Sequence, residues 1–147
     1  MAATPALASS QDLLLLEQRI EAIGAKVLWS DGHGVCSDRD MLGKYVPSQR
    51  TVYICQENLR AAGEPSLNTL QHEGWHAVQH LCNGNNAALT DGQIRELITS
   101  DDRDTIKKLY PAHQWRAEAE ARALENVPIN AFINGVNSYC SEISRRS

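Results

Sequence analysis

The N-terminal part of the chain carries large aliphatic residues at intervals of three and four positions. Those that share one helical face are Leu13, Leu16, Ile20 and Ile23. Ser9 or Ser10 can cap such a helix, and Gly24 is a suitable residue to end it. We therefore predict an amphipathic helix that ends near residue 23, after a flexible tail at 1–10 made of small and polar residues.

Two short runs after this helix have the composition of β-strands. Residues 25–30 and 50–55 are rich in aliphatic, β-branched and aromatic side chains, and a glycine-rich turn signal at 31–34 follows the first run. We expect the two strands to pair in a small antiparallel sheet. Residues 35–49, between them, are predicted to be irregular.

Helical patterns dominate the remainder of the chain. A linker is predicted at 58–65, followed by helices at 66–82, 90–100, 101–110, 113–126 and 129–143. A chain of 147 residues fits one domain. The prediction is an α+β fold, in which residues 11–147 form one mainly helical domain with a small antiparallel sheet.

Composition excludes two classes of partner. The net charge is -4 and the Lys and Arg residues form no cluster, which argues against a nucleic acid partner. The apolar run at 13–16 is too short for a secretion signal or a membrane span. We therefore expect no membrane association, and the predicted location is cytoplasmic.

The chain has four cysteines, and none forms a C-x-x-C pair. A structural zinc knuckle is therefore not expected. In a cytoplasmic protein such residues are mostly free, buried thiols, which we favour over two disulfides. The residues are Cys36, Cys55, Cys82 and Cys140.

The pattern that carries chemistry is His-Glu-Gly-Trp-His at residues 72–76, inside the predicted helix 66–82. Two histidines four positions apart lie one turn apart on the same helical face, so His72 and His76 can bind one zinc ion. Glu73 projects toward the same opening and can take a proton from a water molecule that the zinc activates. The pattern therefore predicts zinc as cofactor and Glu73 as general base.

This H-E-x-x-H helix, preceded by a candidate strand, resembles the zincin superfamily of zinc metallopeptidases. The likeness covers roughly residues 25–126, and only the 72–76 motif is specific. It implies peptide bond hydrolysis, and it implies that residues 50–55 form an edge strand that binds an extended substrate. One zincin type continues to a glycine and a third histidine, but this chain has Gln79 and Cys82 at those positions.

The resemblance is closer to the gluzincins, which take a third ligand from a glutamate on a later helix. Here the predicted helix 113–126 offers Glu118 and Glu120. Glu120 lies on the apolar face of that helix, whereas Glu118 lies on a more polar face. The first glutamate could equally serve as ligand and the second support it, so both remain open. The metal is expected between helices 66–82 and 113–126.

Several further residues are candidates for supporting roles. Tyr110, His113 and Tyr53 could stabilise an oxyanion in the transition state. Trp75 is predicted to face the core rather than the metal. His80 is predicted to be a helix-end histidine, with an outer role at the metal as the alternative.

The predicted activity is that of a zinc-dependent metallopeptidase acting on a peptide or protein substrate. The alternative is a zincin-like metal-binding module that regulates or binds other proteins without turnover. We favour the enzyme, because a protein that only holds metal has no need of the Glu73 carboxylate. The sequence does not determine the oligomeric state.

Overall fold

The computed structural model describes residues 10–29, 34–84 and 87–146. The predicted tail up to residue 9 and most of the turn signal at 31–34 lie outside the described residues. Ser10, which the prediction assigned to the tail, is the first residue of a helix.

The described part of the chain confirms the predicted α+β class, with seven helices and one small sheet. The strands are β1 (Lys26–Trp29), β2 (Gly43–Val46) and β3 (Thr51–Ile54). The helices are α1 (Ser10–Ala22), α2 (Gln56–Ala62), α3 (Ser66–Asn83), α4 (Asp91–Leu97), α5 (Ser100–Leu109), α6 (Trp115–Leu124) and α7 (Ile129–Arg146). Short 3₁₀ turns occupy Gly34–Ser37, Pro47–Gln49 and Ala112–Gln114.

The sheet is mixed, and the prediction that its two recognised strands pair antiparallel is wrong. The strand order is β1-β3-β2, with β1 parallel and β2 antiparallel to β3. Residues 35–49, predicted to be irregular, contain β2. The short turn at Pro47–Gln49 and Arg50 reverses the chain between β2 and β3. β2 therefore pairs antiparallel with one edge of β3, and β1 pairs with the other edge.

Two local features explain why the region around β2 was not recognised. β2 has only four residues, and its outward positions include Lys44, so its pattern is too short to stand out. The segment before β2 is held by a residue distant in the sequence, Asn58. Its Nδ2 lies 2.8–3.0 Å from three carbonyl oxygens of residues 36–41. Asn58 belongs to α2, which replaces most of the linker predicted at 58–65.

Helix α3 lies at the centre of the fold and packs against α1, α6, α7 and the sheet. Trp75 is 1% exposed and packs edge-on against Phe132 and Tyr139, which confirms its predicted core position. A Cβ atom at Gly74 would lie 2.6 Å from Cδ1 of Ile20, so glycine is what permits the close contact of α1 with α3.

The prediction of free thiols is wrong, because the four cysteines form two disulfides. Cys36–Cys55 joins the turn after β1 to the end of β3, and Cys82–Cys140 joins the end of α3 to α7. The paired cysteines are 19 and 58 positions apart, so no short sequence motif predicts the two disulfides.

No helix in the described ranges combines the length and the apolar character that crossing a membrane requires.

Candidate metal centre

Helix α3 places the two histidines of the motif on one side, facing α6. Their imidazole rings are 5.0 Å apart between centroids and nearly perpendicular. The helix continues for two turns beyond His76 and ends at Gly84, which adopts a left-handed conformation with φ of 57°. Because the histidines lie well inside a regular helix, backbone geometry fixes their spacing.

Helix α6 supplies the third group. Oε1 of Glu118 lies 3.0 Å from Nε2 of His76, and Oε2 lies 3.3 Å from Nε2 of His72. One donor atom from each of the three residues lies within 4.8 Å of the others. A tetrahedral zinc ion with bonds of about 2.0–2.1 Å separates its ligand atoms by roughly 3.3–3.4 Å. The three side chains therefore fit such an ion with small adjustments.

Two glutamines on α3 hold α6 in the position that this geometry needs. Nε2 of Gln71 lies 2.9–3.3 Å from three carbonyl oxygens of residues 124–127, where carbonyl groups at the end of α6 have no partner within the helix. Nε2 of Gln79 donates to the carbonyl oxygen of Ala117, 3.0 Å away. Both glutamines are buried. They fasten α6 to α3 at both ends of the segment that carries Glu118.

Glu120 does not reach the histidines. It is 0% exposed, and its Oε1 accepts hydrogen bonds from Nε1 of Trp75 at 2.6 Å and from Nε2 of Gln79 at 3.0 Å. Its Oε2 accepts from the backbone N–H groups of Ala88 and Leu89. Of the two glutamates left open by the sequence, the structure brings Glu118 to the histidines and gives Glu120 a place in the core.

Groups behind the histidines orient their rings. Nδ1 of His76 lies 2.9 Å from Oε1 of Gln79, whose amide is in turn held by Glu120. The acceptor at Nδ1 of His76 favours the tautomer that leaves Nε2 of that ring free to bind a metal. Nδ1 of His72 has the carboxylate of Glu125 nearby, at 3.9 Å, which is too far for a hydrogen bond. The sequence analysis did not recognise these neighbours. Gln79 lies three positions after His76 on the same helix, so helical spacing could have identified it, whereas Glu125 comes near His72 only when the end of α6 packs against α3.

The charges of the cluster are strongly coupled. Burial by itself would lower the pKa of His72, but the hydrogen bond to Glu118 and the nearby carboxylates of Glu125 and Glu73 outweigh it and raise the pKa to about 10. Burial also opposes a raised pKa at His76, and the carboxylates of Glu118 and Glu73 again outweigh it. Burial would raise the pKa of Glu118, but its hydrogen bonds to both histidines lower the pKa to about 2. The site therefore favours a positive charge beside its carboxylates.

Glu73 lies beside the cluster and is not one of its three converging residues. Its Oε2 accepts a hydrogen bond of 2.9 Å from the backbone N–H of Tyr45 on β2. The close approach of β2 to α3 depends on Gly43, where a Cβ atom would lie 2.6 Å from Cγ2 of Thr69 and 3.4 Å from Cγ of Glu73. The carboxylate is therefore held in a defined position at the wall of a cleft.

The cleft has a volume of about 700 Å³ and is lined by β2, α3, the end of α5 and the start of α6. The resemblance implied that residues 50–55 form the edge strand beside the motif. That expectation is wrong, since β3 is the central strand and all four of its residues are buried. The strand at the edge of the sheet, which also lines the cleft, is β2.

The structure separates the three candidates for oxyanion stabilisation. Tyr110 and His113 both line the cleft. Burial raises the pKa of Tyr110, and the charges of Glu118 and Glu73 raise it further, so its hydroxyl stays protonated at neutral pH. Tyr53 does not line the cleft, and its hydroxyl donates to Gln49.

His80 lies in the last turn of α3, which confirms its predicted place at the helix end, and it also lines the cleft. Its Nδ1 lies 2.6 Å from the hydroxyl of Tyr45. This hydrogen bond is a second contact between β2 and α3, in addition to the one between the backbone of Tyr45 and Glu73. His80 is not part of the three-residue cluster.

Comparison with known proteins adds no relative to this picture. The chain matches no family model, no curated protein and no solved structure.

Proposed function

We propose that the protein is a zinc-dependent peptidase, with His72, His76 and Glu118 as metal ligands and Glu73 as general base. The observation that carries the proposal is the convergence of two imidazoles and one carboxylate next to a further carboxylate that stays outside the cluster. Three protein ligands with a free fourth position are the donor set of catalytic rather than structural zinc sites.

When bound, zinc would supply a Lewis acid and lower the pKa of a coordinated water molecule. The chain's own groups would do the rest. Glu73, fixed by the N–H of Tyr45, would accept the proton of the attacking water at its free carboxylate oxygen and return it to the leaving amine. The protonated hydroxyl of Tyr110, facing the same cleft, would donate a hydrogen bond to the oxyanion.

The shape of the cleft supports a peptide as substrate. Strand β2 is at the edge of the sheet, so the side of its backbone that does not pair with β3 is directed away from the sheet. The N–H of Tyr45 on this strand already donates to Glu73, so an extended peptide would pair with the remaining groups of the edge, while its side chains occupy the cleft beside it. The volume of about 700 Å³ is within the range of small-molecule and short-peptide sites.

One observation favours the alternative, a metal-binding module without turnover. Glu73 joins β2 to α3 through the N–H of Tyr45, so its carboxylate has a structural use even in a protein that does not catalyse. The presence of Glu73 is therefore weaker support for an enzyme than the sequence alone implied.

The deciding experiment combines metal content with one substitution. Glu73→Gln keeps an amide oxygen that can accept from Tyr45 but removes the base. We expect about one zinc per chain in both proteins, and cleavage of a peptide library by the wild type only. Equal zinc content with no cleavage by either protein would favour the binding module. No zinc in the wild type, even after zinc is added, would refute both.

The compartment is also a proposal. Disulfides persist in oxidising compartments and are rare in the cytoplasm. The two disulfides therefore favour a compartment outside the cytoplasm over the predicted cytoplasmic location. Counting free thiols in protein extracted under alkylating conditions would test this, since four free thiols would support the cytoplasm.

A further inference from the structure

A second concave site lies on a different side of α6 from the one that faces the histidines, and it shares no lining residue with the cleft. It is a groove of about 260 Å³ between α4, α5 and α6. Its apolar floor is formed by Ile94, Ile98 and Ile106, which are 5%, 8% and 3% exposed. Two of these isoleucines belong to a small apolar cluster that is separate from the main core.

One wall of the groove is held in a fixed position. Trp115 remains 37% exposed although its Nε1 donates a hydrogen bond of 2.8 Å to the carbonyl oxygen of Tyr110. Nζ of Lys107 lies 5.9 Å from the centre of the same indole ring. An exposed aromatic side chain anchored in this way presents a preformed apolar surface, which lowers the entropic cost of binding a partner.

The rim of the groove is positively charged, although the chain as a whole carries a net charge of -4. Four cations from three helices surround the floor: Arg95, Arg103, Lys107 and Arg116. Arg116 is paired with Asp91, the one acidic residue of the lining, at 3.4 Å. Within the described ranges no carboxylate forms an ion pair with the other three.

We propose that this groove binds an acidic peptide segment with one large apolar residue, so that the protein recognises a protein partner away from its metal centre. The volume lies below the roughly 300–1,000 Å³ typical of small-molecule pockets, so it suits a single anchoring side chain. Cations on several sides of that anchor require more than one carboxylate, which an acidic peptide supplies and a simple fatty acid does not.

The test uses two blocked hexapeptides that share a central Ala-Phe pair, one flanked by Asp and Glu residues and the other by Lys residues. Binding is followed by two-dimensional NMR of the protein in EDTA, so the result does not depend on the metal or on activity. We expect only the acidic peptide to bind, with shifts concentrated in α4, α5 and α6. Binding should weaken as salt is added.

Charge reversal supplies the matched control. Arg103→Glu with Lys107→Glu should weaken binding of the acidic peptide by roughly tenfold or more. Arg19→Glu with Lys108→Glu changes the net charge equally at exposed positions outside the groove and should leave binding within about twofold of the wild type. Equal weakening by both pairs would show that only net charge matters and would overturn the proposal.

Three other outcomes would also overturn it. They are equal binding of the acidic and basic peptides, shifts confined to the residues of the metal cleft, and no binding up to millimolar peptide. Saturable binding of octanoate without binding of the acidic peptide would identify a small amphiphile as the occupant instead and would likewise reject the peptide.

Discussion

Separate substitutions of the two neighbouring glutamates of α6 would distinguish the proposed metal ligand from a core residue. Glu118 and Glu120 differ by two positions in the sequence, yet one faces the histidines and the other accepts four hydrogen bonds in the core. We predict that Glu118→Gln abolishes the stabilisation that zinc confers. We predict that Glu120→Gln lowers the free energy of unfolding whether or not zinc is present.

The magnitude for Glu120→Gln follows from its partners. Each carboxylate oxygen accepts two N–H donors, whereas a glutamine has one oxygen and one NH₂ group. In either orientation of the glutamine amide, its NH₂ group faces two buried N–H donors, which then have no acceptor. An unsatisfied buried polar group costs about 1–3 kcal/mol, so the substitution should lower the free energy of unfolding by roughly 2–6 kcal/mol.

For Glu118→Gln the expected loss is in zinc affinity. Ligand binding to the folded state stabilises it by RT ln(1 + [L]/Kd), about 2.7 kcal/mol at a free zinc concentration of 100 Kd. Loss of an outer orienting group typically weakens metal binding about 10–100-fold, and loss of a direct ligand should exceed that. The zinc-dependent increment should therefore fall close to zero at the same zinc concentration.

The assay is urea unfolding of the protein with its disulfides intact. Unfolding is monitored by tryptophan fluorescence, once in EDTA and once in buffered zinc. Trp75, which donates to Glu120, provides a signal from the region of interest. The reasoning would be refuted if Glu120→Gln unfolded like the wild type in EDTA while losing its response to zinc. That result would make Glu120 the ligand.

Three further predictions concern the charge, the disulfides and the close approach of β2. Because the pKa of His72 is raised to about 10, this histidine carries a proton at neutral pH, and zinc would have to displace that proton to bind. Zinc binding should therefore release about one proton or more. The apparent zinc affinity should rise at least about tenfold per pH unit between pH 6 and 8. Calorimetry in buffers of different ionisation enthalpy measures this release, and a value of zero would contradict the charge assignment. Replacing both Cys82 and Cys140 by serine removes a link across 58 positions and should lower the free energy of unfolding by about 4 kcal/mol in urea titrations, whereas an unchanged midpoint would show that the link constrains little. Gly43→Ala should force β2 away from Thr69 and cost about 1–3 kcal/mol, with faster hydrogen exchange at the amide of Tyr45, and unchanged protection of that amide would contradict the packing argument.

The sequence by itself determined the local features of the candidate site. The spacing of His72 and His76 places both side chains on one helical face, because the α-helix repeats every 3.6 residues and this holds wherever the helix packs. The position of Glu73 beside them follows from the same geometry. Long periodic segments such as α3 and α6 were likewise predictable, since their pattern extends over many residues.

Only the tertiary structure decided between Glu118 and Glu120. Two positions on a helix are about 200° apart, so the two carboxylates leave α6 in different directions. Packing brings Glu118 to His72 and His76 and brings Glu120 to Trp75 and Gln79, although all four partners belong to α3. That packing is set by Gln71 and Gln79, whose partners lie 38 to 56 residues away. The sequence pattern placed Glu120 toward the core correctly, but it could not show which of the two glutamates would reach the histidines.

The same limit applies to the sheet and the cysteines. β2 became the edge of the cleft because pairing with β3 and the hydrogen bond to Glu73 hold it, and neither contact leaves a periodic signal in four residues. The disulfides depend on the approach of segments 19 and 58 residues apart. Local geometry is encoded by residues that are neighbours in the chain. The strand pairing and the disulfides instead depend on how whole helices and strands pack against each other, and the folded core determines that packing.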